Sequence, residues 1–176
     1  VTALQRMELA GAFFFTLPGT KMIWEFGELG YDVSIDFNGG VGEKPVKWNY
    51  FENADRKHLY LTWAKILDIR KKYPVFQTDD FTLSVGSNVA IKKIILKHTE
   101  TDAIVLGNFG MTTESAQPGY TKTGWWYELF TGDSVNITDV SASISLTAGE
   151  YRLYASKKME SVISDTREIS ENESCF

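Results

Sequence analysis

The chain has 176 residues, 43% hydrophobic and 14% aromatic, enough for a sizeable core in one domain or in one small domain plus part of another. Its formal net charge of -5 argues against nucleic-acid binding, which favours a basic face. The longest apolar run, Ala10 to Leu17, is far short of the roughly 20 residues a membrane helix needs, so no membrane span is expected.

Residues Ala3 to Phe15 read as a helix. Met7, Ala10, Phe14 and Leu17 keep helical spacing, and Leu9, Phe13 and Phe15 widen the apolar surface, so the helix is expected to be buried on most sides. With no preceding cap visible, it is expected to begin upstream of Val1. Pro18 and Gly19 end it. Lys21 to Phe26 then reads as a short, mostly apolar strand, completing an αβ unit of the parallel-sheet type. Tyr31 to Tyr50 is glycine-rich and polar, a long loop of the kind that more often carries function than not. A second helix follows, capped by Asn53 or Asp55, with Leu59, Trp63, Ile66, Leu67 and Arg70 on one face. Arg70, Lys71 and Lys72 suit the negative end of its dipole, and Tyr73-Pro74 closes it.

From Phe76 the rhythm changes. Strands are expected at Phe81 to Val85, Val89 to Lys97, Ala103 to Phe109, Trp125 to Phe130, Ser134 to Val140, Ser143 to Leu146 and Glu150 to Ala155. Turn signals such as Gly86-Ser87-Asn88 and Gly132-Asp133 separate them, the pattern of an antiparallel β-sandwich. Alternation puts Trp125 and Tyr127 on one face and Trp126 on the other. One face must be core; the other either binds sugar or packs on a neighbouring domain. The expected organisation is 1–75, then an all-β unit over 76–157, then an acidic tail over 158–176, either mobile or one short helix. Cys175 stands alone and His58 and His98 lie on different elements, so no internal disulfide, metal site or cofactor is expected. Asn136-Ile137-Thr138 and Asn172-Glu173-Ser174 match the glycosylation acceptor pattern, which is common by chance.

The segment Leu17-Pro18-Gly19-Thr20-Lys21-Met22-Ile23-Trp24-Glu25-Phe26-Gly27-Glu28-Leu29-Gly30 resembles the last barrel strand of glycoside hydrolase family 13, the α-amylase family. Gly19, Ile23, Gly27, Glu28 and Gly30 fall in place, with Trp24 and Phe26 as aromatic substitutes. Leu9 to Gly19 resembles that family's seventh barrel helix, and Leu59 to Tyr73, ending Ile69-Arg70-Lys71-Lys72-Tyr73-Pro74, its eighth. Ala103-Ile104-Val105-Leu106-Gly107-Asn108-Phe109, Trp126 to Gly132 and Leu146 to Tyr154 are similar to strands of its C-terminal sandwich. The resemblance runs from about Leu4 to Ser156, carried by the order and spacing of motifs that are individually common.

The resemblance implies a mainly β fold: a C-terminal antiparallel β-sandwich of the α-amylase type, preceded by the last αβα portion of a (β/α)8 barrel. It implies action on α-glucans of the starch or glycogen type in the whole protein. It also places the nucleophile, the acid/base and a third aspartate upstream, so no catalytic residue is expected in this chain. Glu28 and the loop from Leu29 to Tyr50 would follow the last strand, where a barrel builds its site. Glu28 would accept hydrogen bonds from sugar hydroxyls or serve as a salt-bridged support. Trp24 and Tyr31 would stack on sugar rings, or Trp24 would pack in the barrel core. Glu25, inside the strand, needs a cation, polar partners or solvent. Lys21 replaces the second proline of the motif, and in that it is similar to glucan branching enzymes, leaving hydrolysis and glucan transfer both open. Two further alternatives are a free-standing carbohydrate-binding sandwich and a purely structural sandwich that stabilises a barrel and binds nothing. Unpaired edges of the barrel strand imply self-association. Compartment is open, a secreted or periplasmic protein with its signal upstream being one expectation.

Overall fold

The computed structural model describes residues 2–161. Helix α1 spans Ala3–Thr16 and has its own cap: the Thr2 hydroxyl accepts from the Gln5 amide at 3.2 Å and the Gln5 side chain accepts from the Thr2 amide at 2.9 Å. That reciprocal capping box satisfies two otherwise orphaned donors, so the helix starts at Ala3 and not upstream of Val1. Leu17, extended before Pro18, ends it.

The expected strand at Lys21 to Phe26 does not form. A strand needs a neighbour for its amides and carbonyls, and among the described residues none lies alongside this segment. The αβ unit of parallel type is therefore not formed among the described residues. The segment runs irregularly, tethered by the Lys21 ammonium to the Pro18 carbonyl at 3.0 Å. It ends in a 3₁₀ turn, Gly27–Leu29.

Helix α2, Ala54–Lys72, is capped by Asn53, one of the two expected caps: its Oδ1 accepts from the amides of Asp55 and Arg56, both at 3.1 Å. At its other end Arg70 holds the turn after α1, donating to the carbonyls of Phe15, Leu17, Gly19 and Phe76.

Eight strands follow: β1 Phe81–Ser84, β2 Ile91–Leu96, β3 Ala103–Asn108, β4 Glu114–Ala116, β5 Gly124–Glu128, β6 Ser134–Ile137, β7 Ile144–Leu146 and β8 Tyr151–Ala155. Six make an antiparallel sheet in the order β1-β2-β3-β8-β5-β6, and β4 pairs with β7 in a small second sheet. The strand β4 was not anticipated: Glu-Ser-Ala has no apolar alternation, and only Ala116 is buried.

The register sorts the side chains. Ile94, Val105 and Leu153 lie in one row and Leu96, Ala103 and Ala155 in another. They face Leu9, Phe13, Phe15, Ile66 and Ile69 of the helices in one continuous core. The opposite face carries Ile104, Trp126 and Tyr154 with Tyr120, while Leu106 meets Ala116 and Leu146 of the small sheet. The result is three layers, helices on sheet on small sheet. At Gly107 a Cβ would lie 2.3 Å from a Leu9 methyl carbon and 2.8 Å from the Phe13 ring, so glycine is what lets α1 approach β3.

Trp126 is fully buried and its indole N–H donates to the Lys122 carbonyl at 3.1 Å. Trp125, on the other side of β5, is 56% exposed. The start of the expected acidic tail is docked: Met159 joins the helix-facing core and the Ser161 hydroxyl donates to Asp68 at 2.7 Å. The rest of that tail, with Cys175 and the Asn172 acceptor triplet, lies outside the described residues.

Candidate functional site

The loop between α1 and α2 carries the candidate residues. It is held at three points. Lys44 is buried, and its ammonium donates to the carbonyls of Phe37 and Gly39. The Tyr31 hydroxyl donates to the Pro45 carbonyl at 2.6 Å, closing the loop base. From the first turn of α2, Arg56 donates to the Leu29 and Gly30 carbonyls and to Asp32 Oδ2 at 2.8 Å. Its guanidinium also lies 3.8 Å from the centroid of the Tyr50 ring, and the Tyr50 hydroxyl donates to Asp32 Oδ1.

Four rings run across this loop. Trp24 meets Tyr31 edge-on at 6.2 Å, Tyr31 stacks on Phe26 at 6.0 Å, and Phe26 meets Trp48 edge-on at 4.9 Å. Phe26 is buried and its backbone has φ +53°, a left-handed conformation that costs a non-glycine residue about 1 kcal/mol or more. That turn drops the Phe26 ring between Tyr31 and Trp48.

The structure therefore brings Trp24 and Tyr31 together. Trp24 is 48% exposed. Both line a groove of about 320 Å³ with Phe14, Met22, Val33 and Ile35. Glu28 lies apart from it. It is half-buried on the 3₁₀ turn and borders a separate depression against Tyr60, Trp63 and Leu67 of α2. Glu25 is exposed to solvent, which removes the cost of a carboxylate in an apolar strand. Lys21 has a local task, bonding the Pro18 and Gly19 carbonyls and lying 5.3 Å from the Phe14 ring centroid.

Electrostatics follow from these contacts. The Tyr50 hydroxyl and the Arg56 guanidinium hold the Asp32 carboxyl below its usual range, outweighing partial desolvation. The same hydrogen bond to Asp32 raises Tyr50. Tyr31 is raised by desolvation and by the neighbouring carboxylates of Glu25 and Asp32.

Asp32, Trp48, Tyr50 and Arg56 were missed in the sequence. One signal was available. Arg56 sits in the first helical turn, where the dipole disfavours a cation, and a cation placed there implies a dedicated acceptor nearby. The partner, Asp32, is 24 residues away and carries no spacing that would reveal it.

No protein-family model matches the chain, and no curated protein sequence matches it. Solved structures do. A cyclomaltodextrinase superposes with a TM-score of 0.71 at 14% identity over 87% of this chain and 26% of its own. A variant of AmyP in complex with maltotriose gives 0.68 at 14% identity, covering 86% of this chain and 34% of its own. The α-amylase of Geobacillus thermoleovorans complexed with acarbose gives 0.67 at 15% identity, covering 88% and 33%. At these identities the likeness is one of fold: this chain has an α-amylase-like fold, and it spans about a third or less of the length of the enzymes that share it.

Proposed function

We propose that this chain is the C-terminal region of an α-amylase-family enzyme acting on α-glucans, bracing the catalytic barrel without carrying its bond-breaking carboxylates. The observation that carries the reading is the superposition of 86–88% of the chain on about a third of such enzymes. In this reading residues 1–75 are the last part of a (β/α)8 barrel, with α1 and α2 as its seventh and eighth helices. Residues 76–157 are the sandwich behind it. Lys21 to Phe26 would gain strand partners on both sides from the rest of the barrel. The outward display of Met22, Ile23 and Trp24 supports this, since these are the side chains such neighbours would cover.

Retaining glycosidases place two carboxyl groups about 5–5.5 Å apart, one as nucleophile and one as acid/base. In this family's pattern those groups, and a third aspartate, precede α1. The 176-residue chain is accordingly expected to show no turnover of soluble maltooligosaccharides above a buffer blank, and measurable turnover would sink the reading. The coding sequence upstream of Val1 is expected to hold Asp, Glu and Asp at barrel-strand spacing; an upstream region without them would sink it as well.

Hydrolysis and glucan transfer both fit. The structural neighbours include α-amylases and CldA, a cyclomaltodextrin glucanotransferase with a TM-score of 0.68 at 16% identity. A free-standing carbohydrate-binding sandwich fits less well, because the centre of the large sheet is covered on one face by the helices and on the other by the small sheet.

A further inference from the structure

Among the described residues Trp48 is the most exposed aromatic side chain, at 75%. An exposed ring on a yielding loop would be a poor binding element, because binding would have to order it. Trp48 is not so placed. Its ring makes a T-shaped contact with Phe26, which is buried and held in a left-handed turn. Its backbone opens the 3₁₀ turn Trp48–Glu52, which leads into the capped start of α2. Two residues on, Tyr50 is pinned between the Arg56 guanidinium and the Asp32 carboxylate. The ring is thus preorganised by contacts that leave most of it exposed to solvent.

The fringe of this ring cluster is polar. Asp32 is half engaged by Tyr50 and Arg56, yet its side chain is 61% exposed, leaving lone pairs toward solvent. The Lys47 ammonium lies 5.9 Å from the Tyr50 ring centroid and offers donors. An apolar polypeptide surface laid over this cluster would desolvate Asp32 and Lys47 without replacing their hydrogen bonds, which is unfavourable. A neutral polyol with an apolar C–H face and a rim of hydroxyls satisfies both parts at once. A pyranose ring has that form.

We infer that Trp48 is a sugar-stacking platform of this protein, with Asp32 accepting from the sugar's hydroxyls and Arg56 as the residue that positions the loop. The ligand is an α-glucan chain; that choice of sugar rests on the reading above, whereas the platform rests on the geometry of Trp48, Phe26, Asp32 and Arg56.

The test is calorimetric titration of the 176-residue chain with maltoheptaose, using variants whose circular dichroism and thermal midpoints match the parent. Trp48→Ala is expected to weaken binding at least tenfold, Trp48→Phe to retain most of it, and Trp125→Ala to leave it unchanged. Absence of binding of both maltoheptaose and cellohexaose at millimolar concentration, or binding that survives Trp48→Ala, overturns the platform while the predicted upstream carboxylates still stand or fall separately. Binding of cellohexaose but not maltoheptaose, lost in Trp48→Ala, keeps the platform and overturns the α-glucan reading. Failure of acrylamide to quench Trp48 in the longer gene product, read against Trp48→Phe, shows the ring covered by polypeptide and also overturns it.

Discussion

Glu128 is a buried carboxylate whose work is done on the main chain. One oxygen accepts from the Leu153 amide at 3.1 Å, and the other from the amides of Phe130 and Thr131 at 2.9 and 2.7 Å. It thereby ties the end of β5 to β8 and closes the turn to β6. Glu128→Gln would turn an amide NH2 toward these donors and leave at least one of them unpaired. We expect a loss of about 2–3 kcal/mol, the usual cost of a buried bond to a charged group, read by urea denaturation. A change below about 0.5 kcal/mol would contradict that role. Glu150 governs an acid response. Burial pushes its carboxyl up, but the Thr147 amide and hydroxyl and the Arg152 guanidinium together outweigh burial and leave it below its ordinary 4.5. A depressed folded-state value means stability fully present above the unfolded value and lost as pH falls through the folded one. The gap in thermal midpoint between the parent and Glu150→Gln is therefore expected to close as pH drops below about 4.5, the usual carboxylate range. A gap that is constant from pH 7 to 3 would contradict it.

The helices were legible because their information is local. Apolar spacing, Pro18, Pro74 and the basic last turn of α2 each act within a few residues. Asn53 as cap belongs to the same class. Asn53→Ala is expected to cost about 1 kcal/mol, since it strips the acceptor shared by the Asp55 and Arg56 amides. The thermal midpoint measures it, and Asn53→Asp should retain the cap. The strands of the large sheet were legible from alternation and turns, to within a few residues at their ends. What failed was non-local. Lys21 to Phe26 has the composition of a strand, but strand formation is a property of pairs, and no partner stands beside it among the described residues. β4 is the converse: Glu114–Ala116 lacks strand composition and becomes a strand because Ile144–Leu146 lies opposite. The loop clasp was illegible for the same reason, since Asp32 and Arg56 meet only after the chain has folded back.

For the whole molecule, two groups of exposed apolar side chains bear on association. One is the segment Met22 to Trp24 with Ile35 and Phe37, where Met22 is 78% exposed; the other is the free edge strand β1 with Phe81 and Leu83. Contiguous patches of this kind favour association. The edges of a barrel strand cannot drive association where that strand does not form, but burial of these side chains predicts it instead. Sedimentation equilibrium of the 176-residue chain is expected to give a mass that rises with concentration. A single monomer mass from micromolar to near-millimolar protein would contradict it.

The contact of α1 with β3 through Gly107 has a consequence for how such a unit can be exchanged between genes. A recombination joint at Tyr73-Pro74 looks natural on the sequence. It would separate Leu9 and Phe13 from the strands they are fitted to, and would strand Val75 and Phe76, both fully buried, at the cut. Recipients of the strands alone would inherit an open apolar face. A portable unit therefore has to keep the first helix together with the strands it is fitted to.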